Sequence, residues 1–99
     1  MTYSVAWSAK AREDLRRLYA FLLDRDEEAA VHALKALEKS VAFLEQFPFS
    51  CRKVRGEDAF LRELVVPFGS SGYVILFRVD DGGKVTIAAV RHQREDDYH

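Results

Sequence analysis

The chain has a single cysteine, Cys51, so no intrachain disulfide can form. One thiol and three histidines give no Cys/His spacing for a zinc cluster, and no metal ligand set is expected. No apolar run approaches the ~20 residues that a membrane span needs. The opening residues Met1-Thr2-Tyr3-Ser4-Val5 lack the basic start and apolar stretch of a secretory leader. These absences predict a cytoplasmic protein with no membrane association. An excess of one charge is missing too: 15 Lys and Arg stand against 16 Asp and Glu, for a formal net charge of −1. Proteins that grip nucleic acid by neutralising phosphates carry a clear basic excess. Any nucleic-acid contact here is confined to a local patch, or the target is a protein. There is no phosphate-binding glycine loop, no nucleophile elbow and no metal signature, so no cofactor is expected.

What is present is a globular composition. The 99 residues are 48% apolar and include seven Phe and four Tyr. That length suits one domain, residues 1–99, burying roughly two thirds of its unfolded surface.

The hydrophobic periodicity changes along the chain. Tyr3-Ser4-Val5-Ala6-Trp7 alternates large and small and predicts a short first strand, with Ser8 placed to cap a helix. Over residues 9–24 the period is helical. Leu15, Leu18, Tyr19 and Leu22 form one apolar stripe, with Lys10, Arg12, Arg16 and Arg17 mostly off it. Asp24-Arg25-Asp26 breaks the pattern. Asp26 can cap a second helix, whose positive N-terminus suits Glu27 and Glu28. That helix carries Leu34, Leu37, Val41 and Leu44 and reaches about Phe47, where Pro48 ends it. The short link predicts an antiparallel helix hairpin.

Residues 49–59 read as a loop with basic character from Arg52, Lys53 and Arg55. The period then becomes two. Strands are predicted over residues 60–66, 73–79 and 84–90, joined by turns at Gly69-Ser70-Ser71-Gly72 and Asp80-Asp81-Gly82-Gly83. The middle strand is apolar on both faces. Trp7 and Phe60 are expected in the core. The class is therefore α+β, in the order β-α-α-β-β-β. The helix hairpin covers one face of a mostly antiparallel sheet, and the other face is left partly open to a partner.

Two groups of residues carry potential chemistry. The tail after the last strand holds Arg91, His92, Arg94 and Tyr98, able to act by acid–base transfer, charge stabilisation and stacking. Its run Glu95-Asp96-Asp97 repels phosphate and also fits a plain solvated end. In the strands, Arg62 and Arg78 interrupt apolar stretches. If both face the open side, they join Arg52, Lys53 and Arg55 in a basic surface for an acidic peptide or an RNA backbone. Phe49 and Phe68 lie beside loops and are candidates for a partner contact.

The element order is similar to that of the ParE/RelE toxin superfamily of type II toxin–antitoxin systems. So are the stretch Trp7-Ser8-Ala9-Lys10-Ala11-Arg12-Glu13-Asp14-Leu15, the strands around Leu61-Arg62-Glu63-Leu64 and Gly72-Tyr73-Val74-Ile75-Leu76-Phe77-Arg78-Val79, and the ending Ala89-Val90-Arg91-His92-Gln93-Arg94-Glu95-Asp96-Asp97-Tyr98. The resemblance covers essentially the whole chain and leans toward ParE, the plasmid-stabilisation branch. It implies a toxin neutralised by a cognate antitoxin in a hetero-oligomer, with no sequence-specific DNA binding by this chain alone. ParE-like members inhibit DNA gyrase and arrest growth. RelE-like members are metal-independent endoribonucleases that cleave ribosome-bound mRNA with a dense Lys/Arg cluster.

On the gyrase reading, Arg91, His92, Arg94 and Tyr98 form the target surface and there is no catalytic residue. Arg52, Arg62, Arg78, Phe49 and Phe68 are then assigned to the antitoxin. On the ribonuclease reading, Arg62, His92, Arg94 and Tyr98 are catalytic. A third reading is a family member that binds its antitoxin but is no longer toxic. The dense Lys/Arg cluster is missing here, which favours gyrase.

Overall fold

The structure, a computed structural model, describes residues 2–54, 56, 60–69 and 71–95. The elements are β1 (Ser4–Trp7), α1 (Ala9–Leu23), α2 (Glu27–Gln46), a 3-10 turn (Pro48–Ser50), β2 (Arg52–Lys53), β3 (Leu61–Phe68), β4 (Ser71–Asp80) and β5 (Lys84–His92). Among the described residues the strands form one sheet in the order β1-β5-β4-β3-β2. β1 runs parallel to β5, and the remaining pairs are antiparallel. The β-α-α-β-β-β order therefore holds. The two-residue β2, which pairs Arg52 with Glu63 and Lys53 with Arg62, was expected as loop.

Both helices start where a side chain can accept their first free amides. The Ser8 hydroxyl accepts from the Ala11 amide at 3.1 Å, and the Asp26 carboxylate accepts from the Ala29 amide at 3.2 Å. Between the helices, the Arg25 guanidinium bonds the Phe21 carbonyl at 2.9 Å and lies 3.7 Å from the Phe21 ring centroid. The link is thus stiffened by a cation–π contact. At its other end β1 is tied to α2 by the Tyr3 amide, which donates to the Glu45 carbonyl.

The core lies between the hairpin and one sheet face. Leu18, Ala33, Leu37 and Leu44 of the helices meet Val66, Tyr73, Ile75, Phe77, Val79, Val85, Ile87 and Val90 of the strands. Leu15 and Leu22 of the predicted stripe pack against this cluster, whereas Tyr19, equally half-buried, does not belong to the residues packed on it. Trp7 is half-buried against the core. Phe60 is corrected: it precedes β3 and is 51% exposed rather than buried.

The turn at Asp81-Gly82-Gly83 uses consecutive positive φ angles of 77° and 74°, which only glycine adopts without strain. At Gly72 the reason is space: a Cβ there would lie 2.1 Å from the Val66 carbonyl oxygen. A side chain at that position would force β3 and β4 apart.

One irregularity decides the faces of β5. Leu76 pairs with Ala89 but Phe77 pairs with Ile87, so Ala88 is an extra residue, a β-bulge. Without it, simple alternation from Val85 and Ile87 would send Ala89 and Arg91 toward the helices. The bulge shifts the phase. Val90 joins the core, His92 follows it on the helix side, and Arg91 turns to the opposite face. β5 also runs two residues past the expected end at Val90.

Candidate functional site

The end of β5 meets three other elements. The β3–β4 hairpin contributes Phe68, Gly69, Ser71 and Tyr73, and the C-terminal half of α1 contributes Arg17, Leu18, Phe21 and Leu22. With His92, Arg94 and Glu95 they line a cavity of about 550 Å³, within the size range of ligand and side-chain pockets. Its wall is aromatic. Tyr73 stacks on Phe68 with ring centroids 5.9 Å apart, and its ring meets the His92 imidazole edge-on at 5.7 Å. Burial raises the Tyr73 phenol above its ordinary value of 10.0.

His92 has both ring nitrogens engaged. The Arg94 backbone amide reaches Nδ1 at 3.1 Å, and Nε2 lies 3.0 Å from the Ser71 hydroxyl. A backbone amide can only donate, so Nδ1 holds the lone pair. The neutral ring then carries its proton on Nε2 and donates to Ser71 Oγ. This tautomer cannot take a proton from Ser71, so the pair is no nucleophile–base dyad. It also leaves the imidazole without a free lone pair for a substrate hydroxyl.

The other tail residues are spread around this point. The Arg91 guanidinium is on the opposite sheet face and donates to the Glu95 carbonyl at 2.7 Å. Arg94 is exposed at the rim of the cavity. Tyr98 lies outside the described residues, as does Arg55.

Arg62 is elsewhere. It sits on the helix side of β3, where its Nη1 donates to the carbonyls of Cys51 at 2.7 Å and Phe49 at 3.3 Å. Its guanidinium lies 5.0 Å from the Phe49 ring centroid, and Phe49 meets Tyr3 edge-on at 6.3 Å. Arg62 therefore splints residues 49–51 after α2 against β3. The register places it opposite Phe77, whereas His92 is opposite Tyr73, which pairs with Val66. Four residues along a strand separate the two rungs by about 13 Å, with a further two strand spacings of about 10 Å across. Arg62 and His92 do not converge on one scissile bond.

Arg62 and Arg78 also fall on opposite faces, so the basic surface that required both on one side does not form. Arg78 Nε lies 3.4 Å from Asp80 Oδ1 on the face away from the helices, and Arg52 pairs with Glu63 there at 3.2 Å. Cys51 is buried below Arg62. Burial pushes its thiol above the ordinary 9.0, and the Arg62 charge offsets this only in part.

A second concave surface was not read from the sequence. Among the described residues β2 pairs with β3 at Arg62 and Glu63, and the Val54 amide bonds the Leu61 carbonyl, so the stretch of β3 from Leu64 onward has no strand on its outer side. Beside it runs α2, and the groove between them holds about 520 Å³. His32, Lys35 and Lys39 stand along one wall, and Phe43, Leu64, Val65 and Pro67 supply apolar surface. Phe43 and Val65 are 40% and 37% exposed. The signal was available in α2: His32, Lys35, Lys39 and Phe43 recur at helical spacing beside the Leu34, Leu37, Val41 and Leu44 stripe.

Comparison with known proteins gives the family of the chain. The sequence profile described as the ParE toxin of the type II toxin–antitoxin system parDE matches residues 5–97. The chain belongs to the ParE toxin family, within the ParE/RelE superfamily. It is 35% identical over 95 residues to Toxin RelE1 of Caulobacter vibrioides, covering 96% of this chain and 98% of that protein. It is 36% identical over 92 residues to Toxin RelE3 of the same organism, covering 93% and 96%. The fold also recurs in a chain of the chromosomal ParDE system from P. aeruginosa, with a TM-score of 0.71 at 22% identity over 92% of this chain and 96% of that one. A chain of the intact E. coli RelBE toxin–antitoxin complex gives a TM-score of 0.64 at 18% identity, covering 94% and 99%. The same fold thus recurs in a chain from a ParDE system and in one from a RelBE complex.

Proposed function

We propose that this toxin acts by binding DNA gyrase rather than by cleaving RNA, and that a cognate antitoxin holds it silent. The observation that carries this reading is the separation of Arg62 from His92. Arg62 is committed to the Phe49 and Cys51 carbonyls, and His92 has its one lone pair filled by the Arg94 amide. A ribonuclease needs a base with a free lone pair and a cation at the same phosphate. The target surface is then the end of β5 and the tail, Arg91, His92, Arg94 and Tyr98, offered as a protein contact.

The antitoxin fits the groove between α2 and β3. Its basic wall of His32, Lys35 and Lys39 over an apolar floor suits an acidic amphipathic segment. This shifts the antitoxin contact away from Arg52, Arg78 and Phe68. Phe49 and Arg62, which contact each other, do not line the groove either.

A second reading is a ribosome-dependent endoribonuclease. It draws on the cavity that gathers His92, Arg94 and Arg17, and it requires a substrate to displace the Arg94 amide from Nδ1. Expression of the toxin without its partner separates the readings. Gyrase poisoning predicts that thymidine incorporation falls and DNA breaks appear before amino-acid incorporation drops. Immediate loss of amino-acid incorporation, with DNA synthesis intact, supports the ribonuclease. Unaffected growth supports a chain that only binds its antitoxin.

A further inference from the structure

β1 accompanies β5 only as far as the amide of Ser8, which donates to the Ile87 carbonyl at 2.9 Å. Beyond that point the outer edge of β5 has no neighbouring strand among the described residues. The bulge at Ala88 turns the backbone groups of 88, 90 and 92 outward along this edge. Side chains take them up in sequence. The Ser8 hydroxyl donates to the Ala88 carbonyl at 3.0 Å, the Asp14 carboxylate accepts the Val90 amide at 2.9 Å, and the Glu95 carboxylate accepts the His92 amide at 3.1 Å. Cations hold both carboxylates. Lys10 lies 3.0 Å from Asp14, and Arg17 lies 3.2 Å from Glu95 and 4.0 Å from Asp14.

Asp14 belongs to α1 and is fixed by it. Glu95 belongs to the tail and has to be brought back. Its amide donates to the His92 carbonyl at 3.0 Å, its carbonyl accepts from Arg91 Nη1 at 2.7 Å, and its side chain reaches α1 through Arg17. The Gln93 amide adds a bond to the Gly72 carbonyl at 2.8 Å. The turn after β5 is therefore pinned to α1, β4 and β5 together.

We infer that Glu95 is a positioning residue: its carboxylate takes the place that a strand would have beside β5 among the described residues and, through Arg17, holds the turn that carries His92 and Arg94 against α1. This rests on the reading of the tail as the target surface and adds how that surface is held. An amide at this position keeps an oxygen for the His92 amide but loses the ion pair with Arg17, so Glu95→Gln separates the two contributions.

The test uses the full chain, a Glu95→Ala variant, a Glu95→Gln variant and a chain ending at Glu95. Hydrogen exchange is read at the His92 and Val90 amides, and gyrase inhibition is titrated in parallel. Loss of one charged acceptor predicts roughly tenfold faster exchange at His92 in Glu95→Ala, with Val90 unchanged, and a roughly tenfold higher inhibitory concentration. Glu95→Gln recovers part of the His92 protection. Unchanged exchange at His92 in Glu95→Ala overturns the inference. So does an unchanged inhibitory concentration when the shortened chain has lost inhibition. A shortened chain that inhibits as well as the full one overturns the tail reading instead, while His92 exchange still reports on Glu95.

Discussion

The carboxylate of Asp14 accepts the backbone amide of Val90 at 2.9 Å, across 76 positions of sequence. Asp14 is 4% exposed and carries its counterion, Lys10, one helical turn earlier. A buried carboxylate in the first turns of α1 thus ends the sheet edge that β1 leaves bare. Asp14→Ala removes the acceptor and strands a buried amide, at a cost of about 1–3 kcal/mol. For a domain of this size each kcal/mol lowers Tm by about 4–8 °C. Thermal unfolding measures the loss, and faster exchange at Val90 locates it. A melting temperature within a degree of the parent would show that the contact is dispensable.

Tyr73 and Cys51 set the alkaline limb of stability. Both groups are raised in the folded chain, from 10.0 and 9.0, chiefly by burial. The folded state holds these protons when the unfolded chain has released them. Stability is therefore intact below the ordinary values and falls as pH rises from about 9 toward the raised folded values. Tyr73→Phe removes one titrating group and flattens the limb above about pH 10. Urea unfolding from pH 8 to 11 makes the comparison. An identical pH profile in the two proteins would contradict the assignment. For the same reason Cys51 resists alkylation in the folded chain at pH 8, and becomes reactive on unfolding.

The tautomer of His92 is open to direct observation. The Arg94 amide at Nδ1 requires the neutral ring to carry its proton on Nε2. Long-range proton–nitrogen correlation spectra at a pH where the ring is neutral should show this Nε2–H form. Ser71→Ala removes the acceptor at Nε2 but leaves the Arg94 bond, so the same tautomer is expected to persist. A ring found with its proton on Nδ1 would free Nε2 as a base and revive the ribonuclease reading.

Arg62 is expected to matter for folding rather than for toxicity. Arg62→Ala removes the bonds to the Cys51 and Phe49 carbonyls and the contact with the Phe49 ring. It should lower stability by about 1–2 kcal/mol, while equal amounts of folded protein still arrest growth. Loss of growth arrest with unchanged stability would place Arg62 in the active surface after all.

The helices and strands were legible because their periodicities are clear. Leu15, Leu18 and Leu22 point one way on α1, and β3, β4 and β5 are separated by glycine turns. The caps Ser8 and Asp26 were legible for the same local reason. The site was less so, because it depends on the single extra residue at Ala88. Nothing in Ile87-Ala88-Ala89-Val90 announces a bulge, yet it decides that His92 faces α1 and Arg91 does not. Asp14 was equally hidden, since a carboxylate in a surface-patterned helix reads as solvated until the bare edge of β5 is seen beside it. Phe60 was misjudged because it stands at the very end of the sheet: its carbonyl accepts from the Val79 amide at 3.0 Å, yet its side chain is left 51% exposed.

The most direct test of a toxin that binds rather than cleaves uses purified gyrase. Supercoiling is followed while the enzyme from the cognate host is titrated with the toxin, freed from its antitoxin and refolded. The prediction is loss of supercoiling with accumulation of cleaved DNA, reversed by the antitoxin. Undisturbed supercoiling, together with cleavage of mRNA on ribosomes by the same preparation, would contradict it.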